Sequence, residues 1–368
     1  MKEQIFLDYA ATTPVDEDVF EAARPYYTQV FYNPSSSHFL GQQAFAAVER
    51  ARENCALAIN CSPDEIYFTS GGTESINWAL GGVDGDIAVS AIEHDAALGK
   101  AELLEKSGVS VSYIKPDSDG IITSEALNSA VTDATRLVCV MAVNNIVGSI
   151  QPIKQLAAAA HKHGALFFTD AVQAINSLDI DVKEWNVDML ALSGHKFYAP
   201  KGVGLLYVKR GVKLKPLFVG GNQEKALRAG TLNVPAIVAM GEAIKKAKAL
   251  REQYVAHAKA VSTEFISNLN CGSVIGSRDK TDDIISVVFR GKNGYISGGK
   301  LATALSLSGV CCSVGSACSA GSATPPNALV AMGVEHADCS VRFSFGKNTT
   351  AEQAKRAAEI VNSVVLRF

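Results

Sequence analysis

Up to about residue 245, short apolar runs alternate with stretches whose apolar positions recur at helical spacing. Ala44, Val48, Ala51, Cys55 and Ala58 fall on one face of a helix that follows the loop Asn33 to His38. Glu65–Thr69, Ile87–Ile92, Val109–Ile114, Arg136–Val143 and Ala165–Asp170 read as strands, as does the apolar run Val187–Leu192. A tight turn over Ser70–Ser75 separates the first strand from a helix starting at Ile76, while Pro152 opens and Gly164 closes another helix. Strands separated by helices predict a mainly parallel sheet covered on both faces, with ligands bound beyond the carboxyl ends of its strands.

Past residue 245 the texture changes. A charged helix around Ala243–Ala258 leads to short strands at Ile284–Phe289 and Ser340–Phe345, with a Gly/Ser/Ala-rich loop between them. Thr349-Thr350-Ala351-Glu352 starts a terminal helix with a capping box. The expected fold class is α/β. A large domain over residues 15–245 would carry the sheet, and residues 1–14 with 246–368 would form a smaller α+β domain.

Composition narrows the functional classes. Across 368 residues, 34 basic against 37 acidic side chains leave a charge of −3, which gives no global attraction to nucleic acid or an anionic membrane. The first residues lack the apolar core of a secretory signal, and no apolar run approaches the roughly 20 residues of a membrane span. A cytoplasmic location is expected. The eight cysteines form no CxxC pair and read as reduced thiols. His161 and His163 sit two apart on a helix and face different ways, so no metal site is expected there.

The candidate chemistry gathers at strand ends. Gly71-Gly72-Thr73 joins a strand to a helix start, where free amides and the helix dipole suit a phosphate; taken alone the signal is weak and reads first as a plain turn. Glu93-His94 ends the next strand, and His94 could stack on a flat heterocycle or be a satisfied loop histidine. Asp170 closes an apolar strand, where a carboxylate needs a cation, and Gln173 follows. Ser193-Gly194-His195-Lys196 follows Val187–Leu192 and delivers a lysine to the same edge. Phosphate for the glycine turn, a protonated ring nitrogen for Asp170 and a carbonyl for Lys196 together describe pyridoxal 5'-phosphate.

Nine segments extend the pattern: Leu7–Pro14, Phe68–Ser75, Glu93-His94, Val143-Asn144-Asn145, Thr169–Gln173, Ser193–Lys196, Gly230-Thr231-Leu232, Gly315–Cys318 and Val341–Ser344. In this order they resemble the cysteine desulfurases, in the class V aminotransferase family of fold-type I pyridoxal-phosphate enzymes. The resemblance spans nearly the whole chain. It implies that Lys196 holds the cofactor covalently, with Asp170 on the ring nitrogen, Gln173 on the ring hydroxyl and His94 stacked on the ring. Gly72, Thr73, Ser193 and His195 would hold the phosphate, and Thr231 would reach the phosphate of a neighbouring subunit in a homodimer. Asn145 and Arg342 would bind the carboxylate of L-cysteine, and Asn145 also borders the cofactor. Cys318, in the small-residue loop Ser313–Ser322, would take the sulfur as a persulfide, leaving L-alanine. A sulfur-acceptor protein would follow, either an iron–sulfur scaffold or a tRNA-thiolating enzyme.

Two positions depart from the family pattern. Ile146 stands where a glutamate usually follows the paired asparagines, and Val314 replaces a usual serine or threonine before Gly315. A selenocysteine lyase, or another class V transaminase or lyase, would use the same machinery. A nucleotide-binding protein fits poorly, because the chain has neither a full Walker loop nor a GxGxxG turn.

Overall fold

A computed structural model describes residues 4–277, 279–315 and 325–368. The chain opens with β1 (Ile5–Phe6), α1 (Glu17–Ala23), α2 (Pro25–Thr28) and α3 (Phe39–Ala58). An alternating run follows: β2 (Ile66–Thr69), α4 (Gly72–Gly82), β3 (Asp86–Ser90), α5 (Asp95–Lys106), β4 (Val111–Ile114), α6 (Ser124–Ala130), β5 (Thr135–Cys139), α7 (Ile153–Lys162) and β6 (Leu166–Asp170). Next come α8 (Val182–Trp185), β7 (Met189–Ser193), β8 (Gly204–Val208) and the long α9 (Val234–Asn268). The remainder holds β9 (Ser273–Ile275), β10 (Ile284–Val288), β11 (Arg290–Gly291), β12 (Gly294–Tyr295), α10 (Gly298–Leu307), β13 (Val310–Cys311), α11 (Asn327–Ala331), β14 (Ser340–Ser344) and α12 (Ala351–Val365). No described helix is long and apolar enough to cross a membrane.

Seven strands form the central sheet in the order β2-β8-β7-β6-β5-β3-β4. All run parallel except β8, which is antiparallel to both its neighbours. The parallel strands therefore end along one edge. Alternate residues of a strand serve opposite faces. Leu190 and Leu192 of β7 enter one core with Val138, Phe167 and Leu205, while Met189 and Ala191 enter a second with Leu137, Phe168 and Leu206. Burial on both faces is why these strands read as continuous apolar runs.

A third core joins segments distant in sequence: Ile5 and Leu7 pack with Phe265, Val287, Phe289, Val341, Phe343 and the Ala354, Ala357, Ala358, Val361 face of α12. Here β14-β10-β9 form an antiparallel sheet, and β1 pairs in parallel with β13. The helix α9 runs unbroken through residue 245, burying Ile237, Met240 and Ile244 in the first core and Val261 and Phe265 in the third.

Three expectations change in detail. The helix α4 begins at Gly72 rather than at Ile76, because glycines can turn directly into a helix from a strand end. The strand β5 stops at Cys139, though the Val140 and Ala142 amides still donate to Phe168 and Asp170 carbonyls. The strand β8 went unread, since Gly204-Leu205-Leu206-Tyr207-Val208 follows β7 too closely to suggest a helical crossover. The terminal helix does start with a capping box, but one residue later than Thr349–Glu352: Thr350 and Gln353 form it, because Thr350 is the N-cap.

Candidate functional site

At the carboxyl edge of the sheet lies a cavity of about 540 Å³. Gly72, Thr73, His94, Asn145, Asp170, Gln173, Ser193, His195, Lys196 and Arg342 all line it. Segments from β2, β3, β5, β6, β7 and β14 therefore meet at one place.

The strand β2 delivers the glycine turn. Ser75 N–H makes the first intrahelical bond of α4, to the Gly71 carbonyl, so the amides of Gly72, Thr73 and Glu74 precede any helical partner. Two close approaches shape this turn. A Cβ at Gly72 would meet Val172 Cγ2 at 3.0 Å, and a Cβ at Gly204 would lie 2.6 Å from Gly71 Cα. Glycine at both positions lets β8 and the turn press together and leaves the helix start bare. Ser193, paired with Gly204 across β7 and β8, borders the same space. On the outer side, Arg228 Nε donates to Glu74 at 2.8 Å, so the helix-start carboxylate is already neutralised.

His94 caps α5: its Nδ1 accepts the Ala96 amide at 3.0 Å. A nitrogen that accepts an N–H carries no proton, so the ring proton sits on Nε2. Asp170 ends β6 almost fully buried and accepts the Val172 amide at 2.9 Å. Burial pushes its pKa up, against the Val172 amide and the nearby His94 and Lys196. A carboxylate in that position is stabilised by any cation placed before it.

Lys196 lies in a turn that leaves β7 and returns as β8. Its Nζ donates to the Ala10 carbonyl at 2.6 Å and the Ala11 carbonyl at 2.9 Å. The same strap of residues reaches the neighbours: Gln173 Nε2 donates to Ala10 at 2.9 Å, and Thr13 N–H to the His195 carbonyl at 2.9 Å. Thr12 Oγ1 lies 3.1 Å from His195 Nδ1. Burial, with Lys196 and Lys201 beside it, drives His195 down to about 4, so its ring is neutral at physiological pH.

Arg342 comes from β14 and is 2% exposed. Its Nη1 donates to the Asn145 carbonyl at 2.8 Å and its Nη2 to Asp8 at 2.9 Å, while Nε has no partner among the described residues. Burial lowers its pKa, with Asp8 opposing. A guanidinium lining a cavity offers planar N–H groups suited to a carboxylate. Asn144 acts structurally: its side chain donates to the Ile92 carbonyl and accepts the Ile146 and Val147 amides, which sets the loop presenting Asn145. Ile146 is buried in the first core. An apolar residue suits that position.

Two expected residues stand apart. Thr231 is exposed and does not line the cavity, and Cys318 lies outside the described residues. Sequence reasoning missed Asp8, the Ala10 and Ala11 carbonyls, Lys201 and Glu93. Asp8 and the two alanines lie in a segment quoted for its resemblance, but backbone acceptors leave no sequence signal.

A family model described as aminotransferase class V matches residues 5–356. The chain belongs to the class V aminotransferases. Within the family it is 40% identical to cysteine desulfurase IscS of Methanosarcina thermophila, over 99% of this chain and 92% of that one. It is also 40% identical to putative cysteine desulfurase IscS 1 of Bacillus subtilis strain 168, over the full length of both. Among solved structures, a NifS-like protein superposes with a TM-score of 0.91 at 34% identity, covering 98% of this chain and 99% of that one. SspA in complex with cysteine matches with a TM-score of 0.84 at 35% identity, over 94% and 99% of the two chains. These neighbours share the α/β architecture seen here.

Proposed function

We infer that this class V aminotransferase is a pyridoxal-phosphate-dependent cysteine desulfurase that converts L-cysteine to L-alanine and passes the sulfur to Cys318 as a persulfide. The observation carrying this reading is the convergence of Lys196, Asp170, the bare start of α4 and the Arg342 guanidinium on one cavity.

The residues fit the cofactor. Gly72 leaves space that a Cβ would fill, the unpartnered amides suit a phosphate, and buried Asp170 needs the cation that a ring nitrogen supplies. When bound, pyridoxal 5'-phosphate supplies an electron sink for the pair released at the substrate Cα. Lys196 would hold the cofactor, and Gln173, Ser193, His195 and Thr73 would border it. Neutral His195 can donate an N–H to a phosphate oxygen without adding charge.

Arg342 binds the substrate carboxylate, with Asn145 beside it. This fixes which bond at the substrate Cα faces Lys196, whose Nζ takes the proton there. The Cys318 thiolate would attack the substrate sulfur to form the S–S bond as the bond from sulfur to Cβ breaks, its electron pair leaving with Cβ, where a proton completes L-alanine. The protein works as a cytoplasmic homodimer, with exposed Thr231 completing the partner's phosphate site, and hands sulfur to an acceptor protein. Residues 15–245 form its cofactor-binding domain, and 1–14 with 246–368 the smaller one.

The deciding experiment is a visible spectrum of the purified protein with pyridoxal 5'-phosphate, before and after L-cysteine. A yellow band that changes with cysteine, with alanine and sulfide formed in a Cys318-dependent way, is expected. A protein that stays colourless, or makes sulfide equally well as Cys318→Ser, overturns the reading.

A further inference from the structure

Behind the cavity wall lies a second carboxyl group that the proposed reaction does not use. Glu93 immediately precedes His94 and is 4% exposed. Its Oε1 accepts the Met141 amide at 2.6 Å and the Ser90 hydroxyl at 2.8 Å, and its Oε2 faces the Cys139 thiol at 3.7 Å. Each of these is a neutral group. A buried carboxylate surrounded by neutral donors lacks what normally stabilises its charge.

Asp170 is close by. Ala142, next to Met141, donates its amide to the Asp170 carbonyl, and Cys139 is in register with Phe168 on β6. The groups facing this pair are Cys139 at the end of β5, Ser90 at the end of β3, His94 at the start of α5 and Lys196 after β7. Of these, His94 and Lys196 favour a negative charge on Asp170, and both lie on the cavity side with it. Two negative charges in this space would repel at low dielectric. Placing one proton on the pair relieves this, and the geometry says where it belongs: Asp170 faces the cavity and its cations, whereas Glu93 faces only thiol, hydroxyl and amide.

We propose that Glu93 is a positioning residue that stays protonated behind Asp170, so that the pair carries a single negative charge and that charge stays on the carboxylate facing the cavity. Burial and the neighbouring Asp170 raise Glu93 to about 8, in the same direction. The acid therefore ionises only on the alkaline side of neutrality, and the pair then carries two negative charges. The consequence for the holoenzyme rests on pyridoxal 5'-phosphate occupying the cavity: its visible band registers the charge behind the ring nitrogen.

The test is a pH titration of the visible spectrum, from pH 6 to 10, of the wild-type protein, Glu93→Gln and Cys139→Ser, each loaded with pyridoxal 5'-phosphate. Glutamine has the shape of the protonated acid, so Glu93→Gln keeps the band at neutral pH and loses the alkaline transition. Cys139→Ser offers Oε2 a stronger donor, which favours the charged form and moves the transition to lower pH; it reports on Glu93 even where Glu93→Gln fails to fold. Identical transitions in wild type and Glu93→Gln, or in wild type and Cys139→Ser, overturn the proposal. No visible band in any of the three overturns the cofactor reading instead. Urea unfolding of the cofactor-free proteins gives a second readout: the stability of Glu93→Gln relative to wild type rises with pH up to about 8, and a flat difference overturns the proposal.

Discussion

The two ends of the cavity are built in different ways. At the inner end, Gly72, Asp170, Ser193 and Lys196 sit at the edges of neighbouring strands in one sheet, each fixed by bonds to the next strand or turn. At the outer end, Arg342, Asp8 and Asn145 come from β14, from the strap after β1 and from a loop after β5, and Arg342 reaches Asp8 across 334 positions. The inner end inherits its precision from a sheet that must form for the protein to fold. The outer end depends on two segments that meet only through the third core. Cofactor capture and substrate recognition should then be separable by mutation.

Lys196→Ala gives the largest effect expected: a loss of sulfide production by about a thousandfold or more, and no cofactor retained after borohydride treatment. A borohydride-stable adduct in that variant would remove Lys196 from its role. At the outer end, Arg342→Lys should raise the KM for cysteine by roughly 10- to 100-fold while the visible cofactor band persists, since an ammonium cannot reproduce the planar fork. Loss of the band would show that the two ends are one unit.

Asp8→Ala sharpens the comparison further. It leaves a buried guanidinium without its counter-ion, so urea unfolding should show a loss of roughly 3 kcal/mol, with a raised KM and the cofactor still held. Unchanged stability would mean that water or another acceptor replaces Asp8. The smallest effect concerns His195. Its folded pKa, about 4, lies below its ordinary value of 6.5, so its contribution is fully present above 6.5 and declines as pH falls from there towards 4. Unfolding measured between pH 4 and 7 should show a shallower slope in His195→Gln, and an equal slope would show that the ring is not held neutral.

The same contrast explains what could be read from the residues alone. A strand such as Met189–Ser193 announces itself through an unbroken apolar run, and the polar residues that end it point to the ligand edge. Asp170 and Lys196 were legible for that reason. Arg342 was not: it lies inside the apolar strand Ser340–Ser344, where only resemblance singled it out. The Ala10 and Ala11 carbonyls are invisible in principle, because any residue supplies a carbonyl. Glu93 was quoted beside His94 and assigned nothing, since its character depends on Met141, Ser90 and Cys139 closing around it. The strand β8 was missed because its antiparallel return needs only a short connection, whereas the alternating pattern announces strands that are set apart by helices.

The pairing of Asp8 with Ser344, and the Ala10 amide's bond to Ser344 Oγ, impose an order on the making of the protein. All strands of the central sheet have been synthesised by Val208. At roughly 5–20 residues per second, the strap that brings Asp8 to Arg342 must wait some 20 to 70 seconds for its partner strand to leave the ribosome. The residues of the inner end are thus all synthesised well before the arginine of the outer end. A chain interrupted between Val208 and Arg342 therefore carries every strand of the sheet yet lacks the guanidinium that faces the amino acid.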